Sequence, residues 1–137
     1  MMKPVEQCPV WPKIKEQWPN VNPKTICISY YPDIYCERSD LDPDFLAHEQ
    51  VHLDQQKEYG VEAWWHSYLT DQSFRLAEET EAYREQGKYI KENWRGTMGK
   101  KMRRLTAIAT DFSGPIYGNM ISYDEAFSIL LNEQTNS

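Results

Sequence analysis

Cysteine and histidine are both scarce in this chain, with three of each in 137 residues. Cys8, Cys27 and Cys36 contain no Cys-x-x-Cys pair, which argues against a separate zinc knuckle. Their odd number reads as reduced thiols in a cytosol, although Cys27 and Cys36 can sit on neighbouring strands. No run of 18 apolar residues occurs, so no membrane span is expected. The opening residues lack an apolar signal core, so the expected location is the cytoplasm. Lys and Arg number 15 against 21 Asp and Glu, for a net charge of −6. That balance excludes a general nucleic-acid surface. Internal repeats and low-complexity segments are also missing.

What is present centres on residues 46–53. Two of the three histidines fall in His48-Glu49-Gln50-Val51-His52. On a helix, residues four apart lie one turn apart on one face, so both imidazoles can reach one metal ion. Zinc favours such nitrogen donors and takes four ligands in all. Glu49 borders the same face, where a carboxylate can take a proton from water made acidic by the metal. A helix start precedes the motif: Asp42 as N-cap, Pro43 at the first helical position and Asp44 in the first turn. Gly60 suits a left-handed cap at its end. Leu46, Ala47, Val51 and Leu53 are the candidates to face the core.

A third ligand can come from nearby or from another helix. The nearby form, as in metzincins, needs a glycine and a histidine where this chain has Gln55 and Glu58. The other form draws a glutamate from a second helix. Such a helix is expected over Asp71 to Asn93, where Leu76, Tyr83 and Ile90 form one apolar stripe with Ala82 beside it. Glu79 falls inside that stripe, and a carboxylate there needs a partner or a metal. Glu78, Glu81 and Glu85 fall toward the flanks or outer face.

Around these helices the chain reads as α+β: a small N-terminal hairpin followed by a mostly helical domain. Residues 1–23 form a proline-rich arm, with a helical turn or two near Ile14–Trp18 and with Trp11 and Trp18 pinning it down. The domain covers 24–132, and 133–137 is a frayed tail. Thr25–Tyr31 and Ile34–Glu37 read as strands. Further helices are expected over Glu62–Leu69, Lys100–Thr110 and Tyr123–Asn132, the last opened by a Ser122/Glu125 capping box.

His48-Glu49-Gln50-Val51-His52 followed by Glu79-Thr80-Glu81-Ala82-Tyr83 resembles a minimal gluzincin. The likeness spans roughly residues 25–131. The chain is also similar to small phage and prophage proteins with a comparable Ser113–Asn119 segment. The resemblance implies a zincin-like domain and a zinc metallopeptidase with Glu49 as general base. It implies His48, His52 and Glu79 as ligands, with Glu81 the alternative, since another gluzincin pattern puts the ligand directly before alanine. Gluzincins commonly steady the oxyanion with a His or Tyr, which implies Tyr83, His66 or Tyr117. His66 also reads as an ordinary histidine beside Trp64 and Trp65. A peptide or protein substrate is implied, lying extended along the strand near 25–31. So is a virion or assembly partner, with location in a host cytoplasm or virion. Two other readings compete. In one, zinc only staples the helices of a structural protein. In the other, the chain is a metal-free helical adaptor.

Overall fold

Five prolines within the first 23 residues prevent a long regular element there. The structure, a computed structural model, describes residues 2–132. The tail 133–137, expected to fray, lies outside the described residues. The proline-rich stretch folds into a 3-10 turn, Val5–Gln7, and a short helix, α1 (Trp11–Gln17). Pro12 sits in the first turn of α1, where its missing N–H leaves no bond unmade. The helix therefore begins three residues before the expected Ile14. Val5, Cys8, Trp11 and Ile14 are buried, so this stretch supplies core.

Strands β1 (Cys27–Tyr30) and β2 (Asp33–Cys36) pair antiparallel, around a cis Tyr31–Pro32 bond. Cys27 faces Cys36 across the pair, with Cα atoms 4.5 Å apart. That spacing belongs to a non-hydrogen-bonded pair, in which side chains approach closely. The two sulfurs are joined as a disulfide. The expectation of reduced thiols is thus corrected for these two residues, and its support for a cytosolic location goes with it. Cys8 is the free cysteine, and burial pushes its thiol up to about 11. So high a pKa leaves little thiolate and makes it a poor nucleophile.

Both edges of the hairpin are covered, which protects it from pairing with other chains. Lys3 bonds β2 through Cys36 N (2.8 Å) and Ile34 O (3.4 Å). On the β1 side, Gln56 behaves as a substitute strand. Its Oε1 accepts from Tyr31 N (2.7 Å) and its Nε2 donates to Ser29 O (2.8 Å). Trp65 Nε1 also donates to Ser29 O at 3.1 Å. At Ser29 O and Tyr31 N, the edge along which an extended substrate was expected is thus occupied by the chain's own side chains.

Helix α2 (Pro43–Tyr59) is followed by α3 (Val61–Thr70). Gly60 joins them at φ +98°, ψ +123°, a glycine conformation but not the left-handed helical cap expected. The buried face of α2 is polar: Asp44, His48, Glu49, His52, Gln55 and Gln56, with Leu53. Leu46, Ala47 and Val51, expected in the core, are only half-buried.

The chain divides into two compact units, the first ending at Asp71 and the second beginning at Gln72. The second contains α4 (Gln72–Asn93), α5 (Met98–Phe112), a 3-10 turn at Pro115–Tyr117 and α6 (Tyr123–Leu130). Its core joins Tyr83, Ile90, Leu105, Ile108, Phe112 and Leu130. Gly87 lets α4 and α6 touch, because a Cβ there would lie 1.8 Å from the Leu130 carbonyl oxygen. The Ser122/Glu125 capping box opens α6 as expected. The architecture is α+β, with one two-stranded sheet and mostly helix among the described residues. No described helix is long and apolar enough to cross a membrane.

Candidate metal centre

Pro43 starts α2 with its fixed φ, and Asp44 places negative charge at the positive end of the helix. Asp42 occupies the N-cap, but its side chain makes no capping hydrogen bond. Beyond this start the helical repeat brings His48 and His52 together. Their Nε2 atoms lie 3.2 Å apart, their rings meet at 78°, and each residue is 5% exposed.

The rings are held from outside. His52 Nδ1 lies 2.9 Å from Gln55 Oε1. An amide oxygen only accepts, so Nδ1 donates in this contact, and a neutral ring then offers Nε2 to a metal. Trp64 packs edge-on against His52 at 5.4 Å, and Phe45 lies parallel to His48 at 6.2 Å.

Glu79 lies on α4 and is 3% exposed. His48, His52 and Glu79 each offer one ligand atom, and these atoms lie within 4.8 Å of one another. No other group of three His, Cys, Asp or Glu among the described residues meets that geometry. The fit to a metal can be tested by distance. Two nitrogens each about 2.05 Å from a tetrahedral ion lie about 3.3 Å apart, a separation that the 3.2 Å found matches, as it also matches a hydrogen bond between the two rings. A bound cation would also offset the cost of burying the carboxylate. This buried group can hold a metal ion.

Glu49 is 6% exposed, and its Oε2 accepts from Ser29 Oγ at 2.5 Å. Among the other candidates, Glu81 is exposed and stands outside the group. His66 is exposed and lines an open groove with Tyr30, Trp65 and Leu69. Tyr83 is buried, stacks on Phe112 at 4.2 Å and has its hydroxyl 3.2 Å from that of half-buried Tyr117.

Several buried polar residues on these elements escaped sequence reasoning. Gln55 follows His52 by three residues, on the same helix face, and that spacing is the signal that marks it. Ser29 is a lone hydroxyl in a strand of Cys, Ile and Tyr. Arg75 and Gln86 are buried on the Glu79 face of α4, four residues before it and seven after. Polar residues at that spacing in an apolar stripe are a readable sign. Outer-shell partners of ligating histidines typically control affinity. Gln55→Leu is accordingly expected to weaken metal binding about 10- to 100-fold, read by competition against a chelating dye.

Compared with models of known protein families, with curated proteins and with solved structures, the chain matches none.

Proposed function

We propose that this chain is a zinc-dependent peptidase in which His48, His52 and Glu79 hold the ion and Glu49 is the general base. Two imidazole nitrogens and a carboxylate oxygen suit zinc, and a set of three protein ligands is typical of catalytic zinc sites. The observation that carries the reading is Glu49. It follows His48 directly in sequence, is buried, and is tethered through one oxygen by Ser29. A metal that only staples helices has no use for a tethered carboxylate at that place.

When bound, a divalent zinc ion supplies Lewis acidity, polarising a scissile carbonyl and raising the acidity of water. Glu49 takes a proton from the attacking water on Oε1, the oxygen Ser29 does not hold. It then returns that proton to the leaving amine. Gln55 keeps His52 in the tautomer that presents Nε2. Buried walls, with Trp64 against His52, keep bulk water away and strengthen each charge interaction.

The substrate class is a peptide or protein. A peptide cross-link of a cell wall and a structural protein cut during virion assembly are the two candidates to test. Quenched-fluorescent casein and purified peptidoglycan are the probes. Release of product from either, stopped by a chelator and restored by added zinc, is the expected result. Absence of release from both counts against the reading.

One observation favours a second reading, a zinc-stapled structural or virion-assembly protein. All three donors are buried to 5% exposure or less, as in closed structural sites. That reading expects tight zinc and no hydrolysis.

A further inference from the structure

Ser29 stands in the middle of β1, 3% exposed, at a place where an apolar residue would pack without a polar group to satisfy. Its hydroxyl has one proton and two acceptors in reach. Glu49 Oε2 lies at 2.5 Å and the Glu49 carbonyl oxygen at 3.3 Å. The shorter contact goes to the charged acceptor, which makes the stronger bond.

We infer that Ser29 is a positioning residue for Glu49: its hydroxyl holds one carboxylate oxygen so that the other faces the reacting water. The role rests on the peptidase reading above. The chemistry follows from the inventory of donors. Ser29 gives its only proton to Oε2, which leaves Oε1 as the carboxylate oxygen that Ser29 does not hold.

A purely structural role is the competing explanation, since the same bond links β1 to α2. Other bonds already make that link. Gln56 bonds both Tyr31 N and Ser29 O, and Trp65 bonds Ser29 O. All of these use backbone atoms of Ser29 and Tyr31, so they survive removal of the hydroxyl. The side chain of Ser29 is free for a task the backbone does not perform.

The test uses the full chain with Ser29→Val and Ser29→Thr. These replacements have nearly the same shape, and only Thr keeps the donor. With casein or peptidoglycan as substrate, Ser29→Val lowers kcat about 10- to 100-fold, as loss of a hydrogen bond to a charged group does. KM and zinc content stay near wild type, and Ser29→Thr restores most of the rate. A second measurement needs no activity. In zinc-free protein, Ser29→Val lowers the melting temperature more in wild type than in a Glu49→Leu background, because the two side chains are coupled. Equal rates for the Val and Thr variants overturn the positioning role. Additive melting shifts overturn the bond itself. If the wild type cleaves neither probe, the peptidase reading falls and takes the catalytic role with it, while the melting cycle still decides whether the bond exists.

Discussion

Glu49→Gln is expected to lower hydrolysis about 100- to 10,000-fold, the range for loss of a general base. Zinc content is expected to stay unchanged. Glutamine has almost the shape of glutamate and can still accept the Ser29 hydrogen bond at its amide oxygen. It cannot take a proton from water at neutral pH. The substitution therefore leaves the packing around β1 and α2 intact and removes one chemical step. The measurement is kcat with casein or peptidoglycan beside metal analysis of the same sample. A variant that still cleaves at the wild-type rate would show that Glu49 is not the base.

Metal removal is expected to have the largest effect on stability. An ion that binds the folded chain and not the unfolded one stabilises by about 2.7–4.1 kcal/mol when present at 100 to 1,000 times its Kd. For a chain of this size that corresponds to roughly 10 °C in Tm. Part of the loss comes from the group itself: without a cation, buried Glu79 has to be balanced by other contacts. A chelator should therefore lower the melting temperature, and zinc should restore it. A metal-free adaptor would melt at the same temperature in both conditions.

The parts of this protein that sequence reasoning reached are those fixed by local rules. The helical motif places His48 and His52 one turn apart whatever the rest of the chain does. Glu79 stood out because a charge in the Leu76–Tyr83–Ile90 stripe is costly to bury without a partner. Ser122 and Glu125 announced the start of α6 by their spacing. The α+β class followed from the alternation of β-branched and helical stretches.

What stayed hidden depends on residues far apart in sequence. The Ser29–Glu49 bond spans 20 positions and the Gln56–Ser29 bond 27. No helical or strand period encodes such pairs. The inward face of α2 was misjudged for a related reason. Apolar periodicity pointed to Leu46, Ala47 and Val51, but the interior there accepts His, Glu and Gln because Ser29, the Tyr31 backbone and a neighbouring side chain of α2 satisfy several of them. The Cys27–Cys36 pairing rests on hairpin register, which spacing alone leaves open.

The central claim is that His48, His52 and Glu79 hold one zinc ion. Metal content per chain, measured on purified wild type, Glu79→Ala and Glu81→Ala prepared together, tests it most directly. About one zinc per chain is expected in wild type and in Glu81→Ala, with far less in Glu79→Ala. Full zinc in Glu79→Ala would contradict the assigned ligand. No zinc in the wild type, even after zinc is supplied, would contradict the metal centre altogether.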